Sequence, residues 1–171
     1  DLSGCFKAYD VRGRVPEELN PESVYRIGRA YADWLRPRRV AVGLDIRHSS
    51  SELADSLMRG LTDSGVDVVY IGLCGTECVY FATFSLGLDG GIMVTASHNP
   101  PSDNAVKVYW SSGGQIVPPH DAAIVERVMQ VGEIKRADFE QAVTNGQVVL
   151  CKDEIDAAFI RNVVGQGFRG P

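Results

Sequence analysis

Short apolar runs rich in β-branched residues recur along this chain, and stretches of helical spacing separate them. That alternation constrains the fold more than any other feature. The runs are RVAVGLD at 39–45, VDVVYI at 66–71, GGIMVTAS at 90–97 and AVKVYW at 105–110. Each is the length of a strand and too short for a helix. Before the first, Asn20-Pro21 reads as a helix cap followed by proline in the first turn. Val24, Ile27, Tyr31, Trp34 and Leu35 follow at helical spacing, and Pro37 closes that helix. Ser49–Ser51 are expected to cap a second helix, with Leu53, Leu57 and Leu61 on one face and Gly65 at its end. Further helices are expected over Glu77–Leu86, 121–131 and 153–164. The loop between the third and fourth strands is too short for a parallel crossover, which makes the fourth antiparallel to the third. The pattern predicts an α/β fold: a three-layer α/β/α sandwich with a mixed, mostly parallel four-stranded sheet. The N-terminal segment reads as irregular, and 147–151 is open between strand and loop.

The 171 residues fit a single domain, and 44% hydrophobic content is enough for an ordered core. No run approaches the ~20 apolar residues of a membrane span. The start, DLSGCFKAYD, has no apolar signal core. A net charge of −5, from 22 acids and 17 bases, weighs against a nucleic-acid or membrane surface. The bases are uneven: residues 61–106 contain no Lys or Arg, Lys107 follows, and Lys7, Arg12 and Arg14 gather near the N-terminus. Cys5, Cys74, Cys78 and Cys151 form no CxxC pair, which argues against a zinc or thioredoxin-like site. Reduced, mostly buried thiols are the expectation, and with them a cytoplasmic location.

The strongest local signal is Thr95-Ala96-Ser97-His98-Asn99-Pro100-Pro101. It stands where an apolar strand ends, and in open α/β sheets ligands gather at the carboxyl ends of strands. A nucleophile elbow would need glycine where Thr95 and Asn99 stand. A phosphoryl-carrying serine needs cations and a metal to balance a charge near −2. A capped turn with a local hydroxyl hydrogen bond is the plainer alternative, and the residues alone leave both open. Gly165–Gly170 matches GxGxxG in letters, but it follows a helix instead of a strand and is no dinucleotide fingerprint. His48 and His120 read as ordinary polar surface, with His120 also a candidate for the active face.

TASHNPP at 95–101 resembles the active-site signature of the alpha-D-phosphohexomutase superfamily, the phosphomannomutases and phosphoglucomutases. Phe6-Lys7-Ala8-Tyr9-Asp10-Val11-Arg12-Gly13 resembles the FxxYDxRG segment of those enzymes. Gly43-Leu44-Asp45-Ile46-Arg47 resembles their GxDxR strand end, and Asn104-Ala105-Val106-Lys107 their NGxK. The resemblance covers nearly the whole chain as the first of four domains. It implies that Ser97 bears the phosphoryl group and, when phosphorylated, gives an oxygen to Mg²⁺. It also implies that Tyr9, Arg12, His98 and Lys107 belong to the active site, with Lys107 a general acid/base and Tyr9, Arg12 and Lys107 meeting substrate. A hexose 1,6-bisphosphate activator, sugar-phosphate substrates and the remaining mutase domains as partners are implied too. Phosphopentomutase, glucose-1,6-bisphosphate synthase and a non-catalytic orphan domain are the alternatives. Ala105 stands where NGxK has glycine, so a strained or altered turn is expected there. The family's metal loop DxDxDR and its sugar- and phosphate-reading loops do not occur in the sequence. The chain on its own is therefore expected to be inactive.

Overall fold

Asn20 opens the first long helix as its sequence requires. Its side chain accepts from the Ser23 amide at 3.0 Å, and the Ser23 hydroxyl accepts from the Asn20 amide at 2.9 Å. This reciprocal cap satisfies two otherwise orphaned donors. The computed structural model describes residues 3–7, 10–132 and 137–167. In chain order the elements are β1 (Val11–Arg14), α1 (Pro21–Leu35), β2 (Arg39–Leu44), α2 (Ser50–Thr62), β3 (Asp67–Leu73) and α3 (Thr76–Ser85). β4 (Gly90–Val94), β5 (Asp103–Trp110), α4 (His120–Gln130), α5 (Phe139–Thr144), β6 (Val148–Leu150) and α6 (Lys152–Gly165) complete them.

The sheet runs β1-β5-β4-β2-β3-β6. β4, β2, β3 and β6 are mutually parallel, whereas β5 is antiparallel to both β4 and β1. The mixed, mostly parallel sandwich is as expected, but the sheet has six strands and not four. The additional strands sit at its two edges. VRGR alternates no apolar residues, and three-residue VVL is too short to show a period, so neither carries a strand signal alone. The six residues of α5 are likewise too few to show a helical period.

Helices cover both faces. Val40, Val42 and Leu44 of β2 point into a core shared with Ile27 and Tyr31 of α1 and Leu53 and Leu57 of α2. Ala41 points the other way, among Val69, Ile71, Val79 and Met93, beneath α3 and α6. Burial on both faces explains why these strands read as continuous apolar runs. At Gly43 a β-carbon would come within 2.8 Å of both Cys74 Sγ and Val79 Cγ2, so glycine lets the loop and helix after β3 close on the strand end. The four cysteines are free, and burial pushes the Cys74 thiol up to about 12. No helix among the described residues is long and apolar enough to cross a membrane.

Candidate functional site

The strand end before Ser97 is held by Asp45. β4 stops at Val94, and Asp45, just past the parallel β2, donates its amide to the Val94 carbonyl at 3.1 Å. The Asp45 carboxylate then accepts from Ser50 Oγ at 2.5 Å, Thr95 Oγ1 at 2.6 Å, and Arg47 through its amide at 3.0 Å and Nε at 3.2 Å. Thr95 Oγ1 in turn accepts from the Ser97 amide at 2.9 Å. Ser97 itself is exposed and takes a left-handed backbone conformation, φ +54°. A non-glycine residue held there costs on the order of 1 kcal/mol and persists only where its surroundings enforce it.

Ser97 and His98 are side-by-side and exposed, with Oγ and Nδ1 3.4 Å apart, a long contact for a hydroxyl hydrogen bond. Arg12 and Lys107 share one face of the sheet, because the β1–β5 register sets Arg12 opposite Ala105, two residues before Lys107. Both cations converge on Asp10: Lys107 Nζ donates to Oδ2 at 2.6 Å and Arg12 Nη2 at 2.9 Å. The Asp10 side chain is only 2% exposed. Burial alone would raise its carboxyl, but the hydrogen bonds and charges of Lys107 and Arg12 together hold it below the ordinary carboxylate range. Its other oxygen, Oδ1, is buried with no hydrogen-bond partner among the described residues. Arg12 Nη1 reaches Asn99 Oδ1 at 3.2 Å, which ties this ionic cluster to the Ser97 loop.

Several expectations change here. Lys107 stands on an inner strand, since β5 lies between β1 and β4. Of the three N-terminal bases only Arg12 reaches the site: Lys7 donates to the Gly4 carbonyl, and Arg14 lies 3.7 Å from Glu18. Ala105 needs no glycine, being a fully buried strand residue without positive φ that accepts from the Thr95 amide. Ser49 and Ser50 do not cap α2 through their side chains. Both hydroxyls accept from Asn104 Nδ2 at 2.9 Å, which joins them to the site. His48 lines the shallow cleft of about 300 Å³ that also holds Asp45, Ile46, Arg47, Ser97, Asn99 and Pro101. His120 instead packs against Trp34 and Trp110, near the start of β4 and away from Ser97. Tyr9 lies outside the described residues. A larger cavity, about 680 Å³, opens beside Arg36 and Arg127 and contains none of the motif residues.

The phosphoglucomutase/phosphomannomutase α/β/α domain I family model matches residues 3–135, a span that includes the four segments at 6–13, 43–47, 95–101 and 104–107. The chain belongs to that family. It is 45% identical over 152 residues to a phosphomannomutase of Klebsiella pneumoniae, covering 89% of this chain and 97% of that one. A phosphomannomutase of Escherichia coli is also 45% identical over 152 residues, but the chain spans only 33% of its length. Among solved structures, a phosphoglucomutase/phosphomannomutase family protein of Burkholderia thailandensis superposes with a TM-score of 0.76 at 30% identity, over 95% of this chain and 35% of that protein. A putative phosphomannomutase of Thermus thermophilus gives 0.71 at 31% identity, over 77% and 31%. The chain thus spans about a third of the length of most of these relatives, and it is domain I of the family's enzymes that it resembles.

Among the described residues no group of three or more His, Cys, Asp or Glu could hold a metal ion. Asp45, the carboxylate nearest the Ser97 turn in the hydrogen-bond network, already accepts from four donors. The described residues alone therefore fit no magnesium cage.

Proposed function

We propose that the chain is the phosphoryl-carrying domain of a hexose-phosphate mutase, with Ser97 as the carrier. The observation behind this is the Ser97 turn: an exposed hydroxyl on a left-handed residue whose amide and carbonyl are both tied down, at the carboxyl end of a parallel strand. A turn that needed only a cap would gain nothing from that conformation.

In the reaction, a hydroxyl of a hexose phosphate attacks the phosphorus of phosphorylated Ser97. The new O–P bond forms as the Ser97 Oγ–P bond breaks, and the hydroxyl's proton is passed on until serine is restored as an alcohol. The sugar leaves that step as a 1,6-bisphosphate. After the intermediate turns over in the site, its other phosphoryl group returns to Ser97 by the reverse chemistry. Arg12 and Lys107 supply positive charge where the phosphoryl oxygens gather it. Lys107 is the proton-transfer group of this reading, His98 is a further catalytic group beside Ser97, and Tyr9, Arg12 and Lys107 meet the substrate. Mg²⁺, which neutralises phosphoryl charge when bound, would meet this chain only through a phosphoryl oxygen on Ser97. A hexose 1,6-bisphosphate loads the serine at the outset, and the cytoplasm is the compartment where hexose phosphates are at hand.

The test is phosphoryl loading. In a protein of the relatives' length that carries this sequence, glucose 1,6-bisphosphate with Mg²⁺ adds one phosphoryl group per chain, mapped by peptide mass to Ser97. Ser97→Ala abolishes both label and turnover. Stoichiometric label on another serine, or undiminished turnover by the alanine variant, overturns the assignment.

A further inference from the structure

Arg47 spends every donor it has on protein. Its side chain is 10% exposed. Nε points at Asp45 Oδ2, 3.2 Å away. Nη1 donates to the carbonyls of Pro100 at 2.7 Å and Asp103 at 2.9 Å. Nη2 donates to those of Ser97 and Asn99, both at 2.8 Å. A guanidinium has five N–H groups in a fixed fork, so none is left for a bound anion. A cation one turn from a phosphoryl-accepting serine would ordinarily be assigned to the phosphate, and the hydrogen-bond count here argues otherwise.

The four carbonyls lie along one stretch, from Ser97 to Asp103 at the start of β5, and the guanidinium holds it from inside. The Ser97 peptide groups are tied on both sides to a single carboxylate. On one side the Ser97 amide reaches Asp45 through Thr95 Oγ1; on the other the Ser97 carbonyl reaches it through Arg47. Two anchored peptide groups flanking one residue leave its φ and ψ little freedom, which accounts for the left-handed conformation at Ser97.

We propose that Arg47 is the positioning residue for Ser97: its guanidinium sets the backbone conformation from which the serine hydroxyl accepts and donates the phosphoryl group. The proposal rests on Ser97 being the carrier, and it adds a residue that touches neither substrate nor phosphate. Lysine cannot substitute, because one ammonium with three donors cannot reach four carbonyls and Asp45 in a plane.

Amide hydrogen exchange tests the clamp on the 171-residue chain itself. In Arg47→Lys the amides of Ser97, Asn99 and Asp103, each hydrogen bonded to a residue two or three positions back, lose protection by about tenfold or more, while those of Val42 and Ile92 in the sheet keep theirs. In Arg47→Ala, millimolar guanidinium restores loop protection and an equal concentration of sodium chloride does not. Unchanged loop protection in Arg47→Lys overturns the proposal. So does loss of protection throughout the sheet, which would mark a general defect of folding. In a protein of mutase length, Arg47→Lys lowers kcat by roughly 10²-fold, with KM for the sugar phosphate within about twofold. A raised KM with kcat intact would make Arg47 a substrate ligand and overturn the proposal. Failure of Ser97→Ala to reduce turnover would instead remove the carrier assignment, and the exchange measurements would still read the clamp.

Discussion

A buried carboxylate between two cations, as Asp10 is between Arg12 and Lys107, is expensive to disturb from either side. Removing one partner from such a cluster leaves charge buried without compensation. Asp10→Asn keeps the shape and deletes the charge, so it is expected to destabilise the chain by about 3 kcal/mol at pH 7. The pH dependence has a definite sign. The Asp10 carboxyl sits below its ordinary value of 3.8, so its contribution is complete above about pH 4 and is lost as pH falls through the lower, folded value. Urea denaturation of wild type and Asp10→Asn is therefore expected to differ widely at pH 7 and to converge towards pH 2. A difference that persisted undiminished at pH 2 would contradict the ion-pair account. Ser97, Arg12 and Lys107 stand out in the sequence as candidates because each sits in a local motif. Asp10 and Arg47 stood in those motifs with no role, because their partners are distant: Lys107 is 97 positions from Asp10, and the four carbonyls on Arg47 lie 50–56 positions away. Only register and topology bring such groups together.

Elements were legible where burial repeats. β2, β3, β4 and β5, with α1, α2, α3, α4 and α6, stand within about two residues of their expected ends, save that the third strand stops at Val94, three residues before Ser97. Thr95 and Ala96, between Val94 and Ser97, are buried without being strand, so the buried run outlasts the ladder. β1 is stabilised by pairing with β5, a contact between segments about 90 residues apart that leaves no periodic trace in VRGR. The α1–α2 crossing shows a different limit. A β-carbon on Gly28 would stand 2.6 Å from the Leu57 carbonyl, and one on Gly60 would strike the Tyr25 carbonyl. Helix propensity by itself says that Gly28→Ala should stabilise α1 by roughly 1 kcal/mol. Backbone on the facing helix cannot step aside as a side chain would, so packing decides the sign. Gly28→Ala is expected to cost about 2 kcal/mol and to lower Tm by roughly 4–8 °C. A neutral or raised Tm in a thermal melt would show that the two helices separate at little cost.

At the scale of the whole molecule, the site is a face and not an enclosure. Its cleft is shallow, Ser97 and His98 are exposed, and Ile46 at the rim is 85% exposed. What the structure places on this face is an exposed Ser97 on an anchored turn, and the Asp10–Arg12–Lys107 cluster tied to its loop through Asn99. Phosphoryl transfer between two sugar oxygens depends on positioning at both ends of the sugar, and misplacement by about 1 Å can cost 10²-fold. The described residues include no carboxylate cluster for a metal, and the chain spans 33% of the Escherichia coli phosphomannomutase it resembles. The 171-residue chain is therefore expected to fold, since its two cores are filled by its own helices, and to show no mutase turnover. A cooperative urea transition would establish the first half. Coupled assays with mannose 1-phosphate and glucose 1-phosphate, run with Mg²⁺ and glucose 1,6-bisphosphate, are expected to give no rate above buffer. A protein of the relatives' length containing this chain should turn over in the same assay. Robust turnover by the 171-residue chain would mean that one face suffices, and that the sugar is held by groups not assigned to the site.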